Sequence, residues 1–172
     1  MRAMTLNVAV VGPGAEADEA IRGVAHEVGR LLAQRGAVVV TGGLGGVMES
    51  AAAGARAAGG IVVGLLPGAD HAEGNADLTV TLPTGLGEVR DALVVRGAHA
   101  VICVGGSWGT LVEVALAMRT GVPVVCVGGW RILDASGGEQ AVTRAHDAAS
   151  AVELALKEGS RRAGTRGGMP SS

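Results

Sequence analysis

Six short runs, most of them apolar throughout, most constrain what this chain can fold into. They span residues 6–11, 37–40, 61–66, 77–82, 100–104 and 124–127. Runs of this length without polar alternation are typical of strands in a parallel sheet that is covered on both faces. Segments of helical periodicity separate them, so the chain predicts an α/β fold, a Rossmann-like doubly wound, mainly parallel sheet with helices on both faces.

The predicted helices fill most of the intervals between these runs. They cover 17–34, 47–58, 86–96 and 147–158. A further helix follows the loop at 105–109 and extends to Arg119. Segment 128–143 fits neither a helix nor a strand, and its role stays open. The Gly-, Ser- and Arg-rich composition of 159–172 predicts a disordered tail. We therefore expect one Rossmann-like nucleotide-binding domain over 1–158.

A glycine-rich loop lies between the fifth strand and the helix that follows it, with the sequence GGSWGTLVE at 105–113. Glycines let a backbone pass close to a ligand, and the amino end of a helix presents free N–H groups to an anion such as phosphate. The candidate phosphate- or nucleotide-binding residues of this loop are Gly105, Gly106, Ser107, Trp108, Gly109 and Thr110.

A second glycine-rich loop follows the second strand, with the sequence TGGLGGVME at 41–49. The candidate ligand-binding residues of this loop are Gly42, Gly43, Gly45, Gly46 and Glu49. Ligands of doubly wound sheets bind at the carboxyl ends of the strands, so we expect both loops at one edge of the sheet.

Composition and charge argue against several partner classes. The formal net charge is −2, and the chain has two Trp but no Tyr or Phe, which disfavours nucleic acid as a partner. No apolar run is long enough to span a membrane, and no signal peptide precedes the first strand, so we expect a cytoplasmic protein without a membrane partner. We interpret Cys103 and Cys126 as buried free thiols rather than as a disulfide or a metal pair. The four histidines show no metal-ligand spacing.

Two common nucleotide-binding motifs are missing. The turn Gly12-Pro13-Gly14 lacks the third glycine of the dinucleotide fingerprint, and Thr41 stands where an acidic residue would hold a ribose. The chain also has no Gly-Lys-Ser/Thr of a P-loop. We therefore expect neither NAD, FAD nor a P-loop triphosphate site.

The two glycine loops together resemble the Lonely-guy (LOG) family of phosphoribohydrolases, within a Rossmann-like superfamily long called lysine decarboxylase-like. The LOG motif is PGGxGTxxE, and residues 105–113 depart from it at Gly105 and Ser107 while keeping its second half. The altered motif looks more like a bacterial branch than the plant-type enzymes. The molybdenum-cofactor carrier proteins are similar in fold and are distant relatives.

The resemblance implies an enzyme that hydrolyses a nucleoside 5′-monophosphate to free base and ribose 5-phosphate, without a metal or other cofactor. It implies that Arg90 and Glu113 form the catalytic pair, although Asp91 stands where the family usually has lysine. It also implies homodimers or higher homo-oligomers. The alternative is a non-catalytic carrier or sensor of a nucleotide or a molybdopterin-type cofactor. A pyridoxal-phosphate decarboxylase is disfavoured because the single lysine, Lys157, adjoins no binding loop.

Each singled-out side chain also has a purely structural interpretation. Thr110 and Glu113 have the spacing of a helix capping box, and Arg90 has the pattern of an exposed, salt-bridged arginine. Glu49 suits the helix dipole near the start of its helix. Trp108 either walls the pocket or covers the start of its helix.

Overall fold

A computed structural model describes residues 4–140 and 142–166 and contains a seven-stranded sheet in which every pairing of neighbouring strands is parallel. The strands are β1 (Asn7–Val11), β2 (Val38–Thr41), β3 (Val62–Leu66), β4 (Val80–Pro83), β5 (Ala100–Val104), β6 (Val124–Val127) and β7 (Thr143–Ala145). Their order in the sheet is β4-β3-β2-β1-β5-β6-β7. The predicted fold class is confirmed.

The strand order has one reversal, between β1 and β5. From β1 the chain adds strands outward to β4 on one side, and it then returns to pair β5 with the free edge of β1. Loops after the two strands diverge at such a reversal and leave a crevice at their carboxyl ends. The glycine loops that follow β2 and β5 lie at this same edge, as predicted, because all the strands are parallel.

In the described part of the chain, five α-helices cover the sheet. They are α1 (Glu19–Gln34), α2 (Val47–Ala57), α3 (Asp91–Arg96), α4 (Trp108–Thr120) and α5 (Ala148–Arg166). One core cluster joins α1, α2 and α5 to a face of the sheet, and the other joins α3 and α4 to the opposite face. In β1, Val8 and Val10 belong to the first cluster, whereas Ala9 and Val11 belong to the second. The period-two alternation of a strand therefore builds two apolar layers from one run.

Glycine allows α1 and α2 to pack with their backbones almost in contact. A Cβ atom at Gly29 would lie 1.9 Å from the carbonyl oxygen of Ala51, and one at Gly54 would lie 1.9 Å from that of His26. The close approach fixes the direction in which α2 begins, and α2 begins directly after the β2 loop.

The helix predicted over 86–96 is instead a 3₁₀ turn, Gly87–Arg90, followed by the short helix α3. Positive φ angles at Gly85 and Gly87, 66° and 55°, prevent a regular helix from starting at Leu86. The open segment 128–143 contains an antiparallel bridge between Leu133 and Glu139 and leads into β7 at its end.

The tail prediction was wrong for residues 159–166, which continue α5. The Arg162 guanidinium donates to the carbonyl oxygen of Ala98 at 2.7 Å, and Arg161 pairs with Glu158 at 2.8 Å, so these turns are tied to the domain and to one another. Glycine and arginine content alone did not reveal these contacts. Residues 167–172 lie outside the described part of the chain, and the single-domain prediction stays a prediction.

Candidate functional site

A crevice of about 310 Å³ opens where the strand order reverses. It brings together the turn after β1, the start of α2, the junction of the 3₁₀ turn with α3, and the first turns of α4. The residues that line it are Gly12, Gly14, Glu16, Met48, Arg90, Asp91, Ser107, Gly109, Thr110 and Glu113. Its volume is at the lower end of the range usual for small-molecule sites.

The turn after β1 allows the surrounding loops to close around the crevice. A Cβ atom at Gly12 would lie 2.4 Å from the carbonyl oxygen of Val104, at the end of β5. The carbonyl oxygen of Pro13 accepts a hydrogen bond from the N–H of Val47 at 3.0 Å, which joins this turn to the first residue of α2. The Gly12–Gly14 turn therefore packs against both neighbouring loops, and any side chain at Gly12 would separate them.

Ser107, and not Thr110, caps α4. The Ser107 hydroxyl accepts a hydrogen bond from the N–H of Thr110 at 3.3 Å, and the two hydroxyl oxygens lie 2.9 Å apart. Because the helix begins at Trp108, Glu113 lies in its second turn, too far along to reach the cap. The capping-box interpretation of Thr110 and Glu113 was therefore wrong, and burial of Glu113 needs another explanation.

Arg90 is buried, with only 7% of its surface exposed, which corrects the interpretation of an exposed surface arginine. Its guanidinium donates a hydrogen bond to the Asp91 carboxylate and packs against Gly42, where a Cβ atom would lie 2.7 Å from both terminal nitrogens. Its Nε has no hydrogen-bond acceptor within the described part of the chain. A buried donor without an acceptor is costly, so an anionic ligand oxygen near this group would be stabilising.

Glu113 is 8% exposed, and burial raises its pKa from 4.5 to about 8. The negative charge of Asp91 acts in the same direction, while the Arg90 guanidinium opposes both. Burial also raises the pKa of Asp91, against the effect of Arg90. Glu113 is therefore mostly protonated at neutral pH, and its carboxylic acid can donate a hydrogen bond into the crevice.

The glycines of the β2 loop have packing roles that the sequence did not reveal. Gly43 has a φ of 78° and packs against Leu66, and a Cβ atom at Gly46 would lie 2.0 Å from the carbonyl oxygen of Gly14. Gly45 is exposed. Glu49 is exposed as well, with its carboxylate 4.0 Å from the Arg22 guanidinium on α1. Gly42 packs against two residues of the crevice wall, Arg90 and Met48, and ligand binding by these residues stays a prediction.

Of the sequence-predicted residues, Ser107, Gly109, Thr110, Arg90 and Glu113 come together in the crevice. Sequence reasoning missed the other members of its lining: Gly12, Gly14, Glu16, Met48 and Asp91. The rule that ligands bind where the strand order reverses could have pointed to the turn after β1, since β1 is the strand shared by both halves of the sheet.

Cys103 and Cys126 are free, buried and in register on neighbouring strands β5 and β6, as the free-thiol interpretation predicted. The thiol of Cys103 also donates to the carbonyl oxygen of Gly105 at 3.4 Å. Both cysteines border a cavity of about 20 Å³ between the β5 and β6 loops, which has room for about one water molecule.

Over the described ranges 4–140 and 142–166, no group of three or more His, Cys, Asp or Glu side chains is placed to hold a metal ion. None of the helices within those ranges combines the length and apolarity that a membrane span requires.

The fold and the crevice define a Rossmann-like domain of the class that binds nucleotides and related cofactors. Residues 5–157 match the model of the SLOG cluster4 family. The chain belongs to the SLOG cluster4 family. An uncharacterized protein of Archaeoglobus fulgidus is 38% identical over 136 residues, which cover 75% of this chain and 88% of that protein.

Solved structures with the same fold include molybdenum-cofactor proteins. The molybdenum cofactor binding protein of Rippkaea orientalis is 30% identical with a TM-score of 0.81, covering 91% of this chain and 98% of that one. The molybdenum cofactor carrier protein of Chlamydomonas reinhardtii is 34% identical with a TM-score of 0.79, and the match covers 90% of this chain and 98% of that one. The single-stranded-DNA-binding DNA processing protein A of Helicobacter pylori is 18% identical with a TM-score of 0.65, covering 89% and 81%, and shows the fold alone.

These similarities confirm the expected relation to the molybdenum-cofactor carrier proteins. The assignment to the LOG family itself remains a prediction, and so does the nucleotide hydrolysis that the resemblance implied.

Proposed function

We propose that this protein is a non-catalytic carrier of a phosphate-bearing pterin cofactor of the molybdenum-cofactor type. The observation that carries the proposal is the polarity of the crevice. Buried polar side chains of the domain include Thr41, Arg90, Thr110 and Glu113, and the last three line one crevice. Buried polar groups are costly unless partnered, so their convergence favours a polar ligand there.

The charges in the crevice suit the holding of an anion more than the hydrolysis of a glycosidic bond. The amino end of α4 and the Arg90 guanidinium attract a phosphate, and a protonated Glu113 does not repel it. The carboxylates of Glu16 and Asp91, the latter paired with Arg90, oppose this attraction. The transition state of glycosidic hydrolysis carries positive charge on the ribose, which an ionised carboxylate stabilises. With a pKa of about 8, Glu113 is mostly neutral where that charge would be needed.

Similarity to known carriers supports the same choice. The two molybdenum-cofactor proteins are 30% and 34% identical and match nearly along their whole lengths. Hydrolysis of a nucleoside 5′-monophosphate is the second candidate, because Arg90 and Glu113 do line one crevice and a carboxylic acid with a raised pKa can protonate a leaving base.

A homo-oligomer remains part of the proposal. Three exposed apolar residues lie near the crevice residues Arg90 and Asp91 in the chain: Leu86 just before the 3₁₀ turn, Val89 on it and Leu93 on α3. An exposed apolar strip of this kind suits association with a second copy.

The test is to purify the chain from cells that synthesise the molybdenum cofactor and to measure bound pterin and molybdenum per protein. The wild type should retain both pterin and molybdenum. In Arg90→Ala the bound amount of each per protein should fall about 10-fold or more, the scale of a lost charge-assisted contact. The matched control is Arg56→Ala, because Arg56 is an exposed arginine of α2 outside the crevice. Thr110→Val is a second site variant in case Arg90→Ala unfolds.

The same preparations separate carrier from enzyme. A carrier releases no base from a panel of purine, pyrimidine and N6-substituted monophosphates analysed by chromatography. Base release by the wild type, lowered about 100-fold or more in Glu113→Gln, would instead support the hydrolase. A wild type that retains neither pterin nor molybdenum overturns the carrier proposal.

A further inference from the structure

We propose that Trp108 and Trp130 form an aromatic platform on which the planar ring of the ligand stacks, while its phosphate lies in the crevice. The inference rests on the proposed function and extends it, because it names the part of the protein that recognises the ring. It starts from the placement of the tryptophans: the chain has two Trp and no Tyr or Phe, and both tryptophans follow neighbouring strands at the edge that carries the crevice.

The two indoles contact each other. Their ring centroids lie 4.8 Å apart and their planes make an angle of 79°, which is the edge-to-face geometry that aromatic pairs prefer. Trp108 is the first residue of α4, and Trp130 follows the glycine pair after β6. This contact between the start of α4 and the loop after β6 orients both rings before any ligand binds.

The backbone around Trp130 is held in place. Arg144, on β7, donates to the carbonyl oxygens of Gly128 at 3.1 Å and of Trp130. A Cβ atom at Gly106 would lie 3.1 Å from Cδ1 of the Trp130 indole, so the lack of a side chain at Gly106 leaves room for this ring. Trp130 is therefore a fixed support rather than a surface side chain with free rotation.

Trp108 is instead open to solvent, with 77% of its surface exposed, against 41% for Trp130. An indole exposed to this extent contributes little to folding, because little of its apolar area leaves water. A planar heterocycle stacked on it would bury that area and add a contact of the kind that proteins use to bind bases without hydrogen-bond readout.

The position of Trp108 suits a ligand with two parts. Its chain neighbours Ser107 and Gly109 both line the crevice, so the backbone of Trp108 lies at the rim of the proposed phosphate site, and its indole extends from there to Trp130. The cavity between the β5 and β6 loops, about 20 Å³, is too small for a ring. A ring attached to a phosphate in the crevice is therefore expected to lie on the outer surface of Trp108.

The test compares a phosphate with a ring and a phosphate without one. Calorimetry measures the binding of a soluble pterin monophosphate and of ribose 5-phosphate to the wild type, Trp108→Ala and Val112→Ala. Val112 is the matched control because it is an exposed apolar residue one turn further along α4. We expect Trp108→Ala to lower the affinity for pterin monophosphate about 10-fold or more, the scale of one aromatic–base stack, and to leave the affinity for ribose 5-phosphate unchanged. Val112→Ala should change neither affinity.

The contrary outcomes are distinct. Equal affinity of Trp108→Ala and the wild type for pterin monophosphate overturns the platform and leaves the carrier proposal standing. A wild type that binds neither compound overturns both. Sedimentation of the same proteins tests whether a second copy covers Trp108 instead: dissociation of an oligomer in Trp108→Ala, with ring affinity intact, also overturns the platform.

Discussion

The glycine loops after β2 and β5 have similar composition and lie at one edge of the sheet, but their glycines are required for different reasons. In the β2 loop, Cβ atoms at Gly43 and Gly46 would lie 2.4 Å and 2.0 Å from neighbouring atoms. These positions are closed by packing, which means that neighbouring atoms leave no room for a side chain. In the β5 loop, the nearest atom to a Cβ at Gly109 is the Ser107 hydroxyl oxygen, 4.0 Å away. Gly109 borders open crevice.

The difference indicates that a glycine-rich loop at a binding edge is not by itself a binding loop. The β2 loop is a structural element that allows α2, the Gly12–Gly14 turn and Arg90 to come close together. The β5 loop presents its cap residue, its second helical residue and Thr110 to the space where a ligand fits. Substitutions at Gly43 and Gly46 should therefore affect stability, and a substitution at Gly109 should affect binding.

The largest expected effect is that of Gly46→Ala. Gly46 precedes α2 with φ 71° and ψ −129°, a conformation that side chains disfavour, and the new Cβ would lie 2.0 Å from the Gly14 carbonyl oxygen. Backbone strain and overpacking together should lower the free energy of unfolding by about 4 kcal/mol. Urea unfolding of the purified variant measures it.

Gly45→Ala is the control for this substitution, because Gly45 is exposed and its nearest atom is a Glu49 carboxylate oxygen 4.0 Å away. Its free energy of unfolding should stay within about 0.5 kcal/mol of the wild type. Equal stability of Gly46→Ala and Gly45→Ala would show that the β2 loop is not closed by packing.

A smaller effect is expected at Glu113, and it depends on pH. Because the pKa of Glu113 is raised from 4.5 to about 8 by folding, the folded state binds its proton more tightly than the unfolded state does. This contribution to stability is complete below pH 4.5 and is lost as the pH rises towards 8. Glu113→Gln cannot ionise, so its free energy of unfolding relative to the wild type should rise by about 3.5 kcal/mol between pH 5 and pH 8.

Urea unfolding of both proteins over that pH range measures the difference, and groups unaffected by the substitution cancel from it. A difference that does not change with pH would mean that Glu113 ionises normally. In that case the main physical argument against the hydrolase would no longer hold, because an ionised Glu113 could stabilise positive charge on a ribose.

The sheet could be predicted from the sequence because burial on both faces leaves uninterrupted apolar runs, as in Ala100–Val104, which is buried throughout. The site was only partly predictable. Thr110 and Glu113 have the spacing of a capping box, but Ser107 is the N-cap, and its hydroxyl accepts a hydrogen bond from the Thr110 N–H. The sequence does not distinguish Ser107 from Thr110 as the cap. Burial of Arg90 depends on the space beside Gly42, a contact between residues far apart in the chain. Such contacts have no local signal.

The smallest expected effect on stability is that of Gly109→Val, and it separates the two loops most sharply. Gly109 is the second residue of α4 and exposed, and the space beside it is open, so the free energy of unfolding should change by no more than about 0.5 kcal/mol. The isopropyl group of the new valine is expected to project into the crevice and displace the phosphate from the amino end of α4. The affinity for ribose 5-phosphate should therefore fall about 10-fold or more. Calorimetry and urea unfolding on one preparation measure both quantities. Unchanged affinity in a folded Gly109→Val would place the phosphate away from the β5 loop, and an unfolded variant would mean that this loop, like the β2 loop, is closed by packing.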